Sequence, residues 1–204
     1  PNTHFLFIKD SMSESTPNIW AKHINFAGFG SFGPDLFYLL GIPHVPGLKR
    51  KYPKDYSIVS DALHWENSLD FFCEMLDHIK GIEDDAKRDK LKAFAYGYYS
   101  HVVADAVIHP FVYMATQDHW RDHPQNQFNQ HKRLEAVIDG YLLGKRNSNP
   151  FTFEYELKVE CHQQGSGRTL DEDVFMMMKS SLKKAYSVIL DNFGIDFEKY
   201  FARH

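Results

Sequence analysis

The chain is poor in several features that define common classes of protein. Among its 204 residues there are only two cysteines, Cys73 and Cys161, and neither belongs to a C-x-x-C pair. This excludes a disulfide-built fold and a thiolate zinc site, and it leaves at most one disulfide bridge. No apolar run approaches the roughly 20 residues that a membrane-spanning helix needs. The formal net charge of -4 indicates no strongly basic surface, so we expect no duplex nucleic acid partner.

The sequence also shows no signal peptide, which favours a cytoplasmic protein. A mature secreted chain would lack its signal as well, so a secreted protein remains the alternative. Hydrophobic residues make up 43% of the chain, which is enough to bury one core. We therefore expect residues 1–204 to form a single domain.

Histidine, by contrast, is abundant, with 12 residues in the chain. In the segment SHVVADAVIHP, His101, Asp105 and His109 follow one another at intervals of four residues. Residues four apart project from the same face of a helix. A buried carboxylate needs a cationic partner, and a divalent metal ion satisfies imidazole and carboxylate ligands together. The alternative is a hydrogen-bonded His–Asp pair that holds no metal.

A second pair repeats this spacing on another predicted helix. His131 and Glu135 lie four residues apart in HKRLE, and ligands on neighbouring helices build the metal sites of helical bundles. Alone, this pair is typical of a solvated helix face. His4, Asp35 after the turn FGSFGP, and His64 in DALHWEN are further candidates. Taken singly, each is typical of a helix cap, a turn residue or a core histidine.

The spacing of apolar residues predicts a mostly α-helical protein. Helices are expected at residues 3–14, 60–80, 90–115, 131–144 and 171–194. Within the first of these, the apolar run FLFI has a short strand as the alternative. The segment FTFEYELKVE, residues 151–160, alternates in polarity and could form a short strand. In the last helix, the run VFMMMK could contact a membrane, but core packing is the more common use of methionine.

Five motifs occur in order over residues 2–140: NTHFLF, FGSFGPDLFY, SDALHWENSLDF, YYSHVVADAVIHP and QHKRLEAVIDG. Together they resemble the zinc-dependent phospholipase C family, and they are most similar to its glycosylphosphatidylinositol-specific phospholipase D branch. This family is related to the single-strand-specific zinc nucleases. The resemblance implies an all-α, compact multi-helix bundle built around a cluster of zinc ions.

The resemblance also implies which residues bind two or three zinc ions. The ligands of the first ion would be Asp35, His64, His101 and Asp105. Those of the second would be His109, His131 and Glu135. Those of the third would be His4, Asp105 and the amino-terminal residue, here Pro1, with Asp105 bridging two ions. Secreted members of the family offer an amino-terminal tryptophan instead, so a site with two ions is the alternative.

The implied activity is hydrolysis of a phosphodiester, in which metal-bound hydroxide releases the head group of a phospholipid. Such a substrate also implies peripheral contact with a membrane. Asp35 is a candidate catalytic residue, as a general base. Zinc is the expected metal, although other divalent transition metals suit such ligands. The aromatic residues beside the ligands in sequence are candidates for the wall of the site: Phe5, Phe37, Tyr38, Trp65 and Trp120. Core packing is the alternative and the more common use, because the chain contains 17 phenylalanines and 11 tyrosines.

Two other functions remain open at this point. The same metal cluster could cleave single-stranded nucleic acid or another phosphate ester, although no basic stripe with interleaved aromatic residues follows the chain. A non-catalytic metal-binding helical protein is the other alternative. In that case the metal would be fully coordinated by protein side chains, with no position open to water or substrate.

Overall fold

The structure is a computed structural model, and it describes residues 2–15, 22–36, 56–116, 125–147, 163–164, 167–168 and 171–192. These residues form seven helices: α1 (Asn2–Ser15), α2 (Ile24–Gly30), α3 (Tyr56–Trp65), α4 (Ser68–Lys80), α5 (Asp85–Thr116), α6 (Gln125–Lys145) and α7 (Glu172–Asn192). A single antiparallel pair of two-residue strands joins β1 (Gln163–Gln164) and β2 (Gly167–Arg168). The predicted all-α class is therefore confirmed. The strand predicted at residues 151–160 lies outside the described residues.

The main hydrophobic core lies between α3, α4, α5 and α7. Its fully buried side chains include Leu63, Met75, Phe94, Met177 and Leu182. Burying one such side chain contributes about 1.5–3 kcal/mol, so this core accounts for much of the folding free energy. Core packing of the methionines in VFMMMK is confirmed for Met177, which is fully buried.

The long helix α5 is the centre of the fold and contacts α1, α2, α4, α6 and α7. It begins where Asp84 accepts a hydrogen bond from the Lys87 N–H, as a helix-capping side chain does. Its closest neighbour is α2. A Cβ atom at Gly97 would lie 2.1 Å from the Ala27 carbonyl oxygen, and one at Gly30 would lie 2.1 Å from that of Phe94. The two backbones therefore touch, which places the turn after α2 against the middle of α5.

The single helix predicted for residues 60–80 is wrong, because the structure contains two helices there. α3 ends at Trp65 and α4 begins at Ser68, and Asn67 between them has a left-handed φ of 54°. Asparagine adopts this conformation more readily than most residues. Ser60 lies inside α3.

The structure also bears on the membrane-protein and disulfide classes that were considered from the composition. In the described part of the chain, no helix is both long enough and apolar enough to cross a membrane. Cys73 is an exposed free thiol.

Candidate metal centre

Among the residues that the structure describes, three groups of side chains bring potential metal-binding atoms within 4.8 Å of one another. We name each group after one member. The Asp35 group comprises Asp35, His64 and His101. The His4 group comprises His4, His101 and Asp105. The Glu135 group comprises His109, His131 and Glu135. Every predicted ligand in the described residues belongs to one of these groups, and Pro1 lies outside those residues.

Asp105 links the groups, because both of its carboxylate oxygens face histidines. Its Oδ2 lies 3.1 Å from His101 Nε2 and 3.9 Å from His64 Nε2. Its Oδ1 lies 3.3 Å from His4 Nε2 and 3.6 Å from His109 Nε2. The predicted helical stripe thus forms on α5, and its middle carboxylate stands between histidines from three helices.

Two histidines of the Asp35 group are oriented by backbone carbonyls. His64 Nδ1 donates a hydrogen bond to the Ser60 carbonyl oxygen at 2.7 Å, and His101 Nδ1 donates to that of Ser31 at 2.9 Å. A carbonyl oxygen only accepts, so Nδ1 carries the proton in both rings. The other nitrogen, Nε2, is left facing the carboxylates, which is the usual arrangement of metal-binding histidine.

Ser60 also positions Asp35. Its hydroxyl donates a hydrogen bond of 2.6 Å to the Pro34 carbonyl oxygen, which fastens the turn after α2 to α3. Asp35 Oδ1 then lies 3.4 Å from His64 Nε2. Ser60 therefore positions both residues of this contact, because its hydroxyl binds the carbonyl next to Asp35 and its own carbonyl accepts from His64.

The turn after α2 packs directly on the ring of His101. Gly33 has a φ of 50°, and a Cβ atom there would lie 2.7 Å from His101 Cγ. A side chain at this position would both strain the backbone and displace the imidazole ring. Glycine is therefore required by the packing of a proposed metal ligand.

The Glu135 group joins α5 to α6. Glu135 Oε1 lies 2.9 Å from His131 Nε2 and 3.4 Å from His109 Nε2. On the opposite side of the ring, His109 Nδ1 lies 3.4 Å from the Tyr113 hydroxyl. The Trp65 ring stacks beside His109 with 6.3 Å between centroids. Side chains rather than backbone carbonyls therefore surround this histidine.

The three carboxylates are ionised at neutral pH. Burial acts to raise their pKa values, but the histidine rings that face them outweigh burial and hold the pKa of Asp35 and that of Glu135 well below the usual range. The same balance lowers the pKa of Asp105 to about 2. Three partly buried negative charges thus converge on one region of the molecule.

The pKa values of the two stacked histidines shift in opposite directions. The rings of His4 and His101 lie 3.8 Å apart and are nearly parallel. Burial, followed by the charge of His101, lowers the pKa of His4 to about 3. Burial also acts to lower the pKa of His101, but Asp105 and Asp35 raise it above its ordinary value. His4 is therefore neutral at neutral pH, as a metal-binding imidazole must be.

One buried ring nitrogen tests whether a metal fits this centre. Among the residues described, His101 Nε2, which faces the carboxylates, has no hydrogen-bond partner. His101 Nε2 is close to Asp105, but not in hydrogen-bond geometry. A buried polar atom without a partner is costly, and ionised carboxylates beside it call for a cation. The ligand types suit zinc, so the residues present fit a metal centre.

A cavity of about 270 Å³ opens on these groups. Its polar side consists of His64, His101, Asp105 and His109. The remaining lining is mostly apolar and aromatic: Pro34, Leu63, Trp65, Val102, Ala106, Pro110 and Tyr113.

The structure places only part of the predicted aromatic wall. Trp65 lines the cavity as predicted. Phe5 does not, because it is 1% exposed and belongs to the buried interior. Phe37, Tyr38 and Trp120 lie outside the described residues.

Several residues of the centre were not predicted from the sequence. Tyr113 follows His109 by four residues, so helical spacing could have indicated it. Ser31 acts through its backbone carbonyl, which every residue possesses, so no sequence signal marks it.

Comparison with known proteins agrees with this geometry. The sequence matches the zinc dependent phospholipase C family over residues 3–188, which includes all three groups. No curated protein and no solved structure gives a significant match. Because the match covers most of the chain, the protein belongs to the zinc-dependent phospholipase C family.

Proposed function

We propose that the protein is a zinc-dependent phosphodiester hydrolase that releases the phosphorylated head group of a phospholipid. The observation that carries this proposal is the cavity that opens on the metal-binding groups. A purely structural zinc site is closed by protein ligands, whereas a catalytic one keeps a position open to water or substrate. Here the cavity reaches atoms of all three groups, through His64, Asp105 and His109.

The proposed ligand sets account for two or three zinc ions. Asp35, His64 and His101, with Asp105, would hold the first ion, and the Glu135 group would hold the second. His4 and Asp105 would hold a third, with Pro1 as a candidate ligand from outside the described residues. When bound, zinc lowers the pKa of water and neutralises phosphate oxygens.

Asp35 contributes a carboxylate that stays ionised at neutral pH, because its neighbours hold its pKa low. Such a group accepts a hydrogen bond from an attacking water and orients it towards the phosphorus. A carboxylate of low pKa is a weak proton acceptor. We therefore assign Asp35 to binding zinc and orienting water in preference to removing a proton from the water.

The size of the cavity bears on the substrate. A volume of about 270 Å³ lies below the usual range of small-molecule pockets. It accommodates a phosphodiester and the groups attached to it, while the acyl chains of a lipid must remain outside. The rings of Trp65 and Tyr113, 6.0 Å apart, line the cavity beside His109 and supply apolar contact area.

The test compares three substrates on the full chain after chelation and reloading with zinc. These are phosphatidylcholine in mixed micelles, a single-stranded oligonucleotide and bis(p-nitrophenyl) phosphate. We expect zinc-dependent release of phosphocholine that chelation abolishes and added zinc restores. His101→Ala should remove the activity, and Lys80→Ala, an exposed change on α4, should not.

Other outcomes would point to other functions. Cleavage of the oligonucleotide alone would favour a nuclease on the same centre. Full zinc loading without hydrolysis of any substrate would contradict the enzyme and favour a structural metal site.

A further inference from the structure

Helices α1 and α6 lie side by side and run in the same direction. Thr3 contacts Asp139, and Asp10 forms an ion pair with Arg146. Both pairs are separated by 136 residues in sequence, so the two helices advance together. Each pair therefore marks one end of the α1–α6 contact.

The two contacts differ in strength. Asp139 is only 7% exposed, and its Oδ1 accepts hydrogen bonds from the Thr3 backbone N–H at 2.8 Å and from the Thr3 hydroxyl at 2.5 Å. A carboxylate that accepts from an otherwise unpaired N–H in the first turn of a helix is stabilising. The Asp10–Arg146 pair is exposed, and exposed ion pairs contribute little. The contact through Asp139 thus dominates.

Its location matters because Thr3 immediately precedes His4. His64 and His101 are oriented by hydrogen bonds from Nδ1 to backbone carbonyls. His4 has no such bond, since its Nδ1 is without a hydrogen-bond partner in the described structure. The His4 ring is held by its stacking on His101 and by the position of the α1 backbone, whose nearest fastening is Asp139.

We infer that Asp139 is a positioning residue that holds His4 in the His4 group through Thr3. α6 then serves two groups, because it supplies His131 and Glu135 directly and places His4 indirectly. The inference rests on the proposed function, since it assumes that the His4 group binds zinc. It makes the zinc affinity of that group depend on a carboxylate that does not contact the metal.

The experiment measures zinc binding to the metal-free full chain by competition with a chelator. His4→Ala identifies which binding step belongs to the His4 group. Asp139→Ala should weaken that step by about 10- to 100-fold and leave the other steps unchanged. Asp139→Asn keeps an acceptor oxygen and should restore most of the affinity. Asp10→Ala, which breaks the other α1–α6 contact, is the matched control and should leave every step unchanged.

A milder variant covers the case in which Asp139→Ala does not fold. Thr3→Ala removes only the hydroxyl contact and should weaken the same step by about fivefold. Its control is Ser11→Ala, because Ser11 donates to the Phe7 carbonyl on the exposed side of α1. Equal zinc affinity for Thr3→Ala and Ser11→Ala would overturn the inference.

The failure of this inference is distinguishable from failure of the proposed function. If the unmodified chain binds no zinc, both are wrong. If His4→Ala loses no binding step, His4 is not a ligand and the positioning role falls, while zinc binding by the other groups stands. If His4→Ala loses a step that Asp139→Ala retains, or if Asp10→Ala loses as much as Asp139→Ala, only the role of Asp139 is wrong.

Discussion

The Asp35 group and the Glu135 group each contain two histidines and one carboxylate, but their histidines are held in different ways. In the first, His64 and His101 donate to carbonyl oxygens of the backbone at 2.7 and 2.9 Å. In the second, His109 has a longer contact of 3.4 Å with the Tyr113 hydroxyl. A backbone carbonyl within a packed element moves little, whereas a side chain can change rotamer. His64 and His101 are therefore held more rigidly than His109, and changes to the scaffold of the Asp35 group should have the larger effect.

The largest effect is expected from a change to Asp105, because this residue faces histidines of all three groups. Asp105→Asn removes a charge that faces His4, His101 and His109 at once. We expect the zinc affinity of the Asp35 and His4 groups to fall together by more than about 100-fold, beyond the usual effect of an indirect contact. Elemental analysis measures the zinc content of each variant, and a zinc titration of the same variant measures the loss of affinity.

Glu135→Gln is the comparison variant for that experiment. It removes a charge of similar kind from one group only, so it should reduce zinc binding at the Glu135 group and spare the others. Unchanged zinc content in Asp105→Asn would show that the carboxylate does not bridge.

An intermediate effect should follow from a change in the scaffold of the Asp35 group. Gly33→Ala places a Cβ atom against His101 at a backbone conformation that strains alanine. The expected loss of stability is about 1–3 kcal/mol, with weaker zinc binding at the Asp35 group. Denaturant unfolding of the metal-free chain and a zinc titration measure the two consequences.

Gly140 provides the matched control, because a Cβ atom there would meet no other atom within 4 Å. Gly140→Ala lies inside α6 and should stabilise the chain by about 0.5–1 kcal/mol. Equal stability of the two alanine variants would contradict the proposed packing of Gly33 on His101.

The smallest effect concerns the side chain that orients the Glu135 group. Tyr113→Phe keeps the ring and removes the hydroxyl near His109. We expect zinc binding at the Glu135 group to weaken by about fivefold, the value of one ordinary hydrogen bond. Tyr141→Phe, an exposed change on α6, should leave the affinity as it is. If both variants bind zinc equally, the phenol does not orient His109.

The part of the site that could be predicted was local in sequence. The spacing of His101, Asp105 and His109 predicted a shared helix face, because a helix repeats every 3.6 residues whatever surrounds it. The break between α3 and α4 was missed, since apolar residues continue at helical spacing across Asn67. The sequence could not decide between the wall of the site and the core for Phe5, because burial depends on which neighbouring helices cover a face.

The sequence by itself determined the ligand types, their pairing along α5 and α6, and the family, because these depend on residue identity and helical repeat. Only the tertiary structure decided which backbone carbonyls orient His64 and His101, that the packing on His101 requires glycine at position 33, and that Asp139 contacts Thr3. Those contacts join residues far apart in the chain through groups that many residues share. Their partners are selected by the packing of α2, α3 and α6 around α5, which no local pattern specifies.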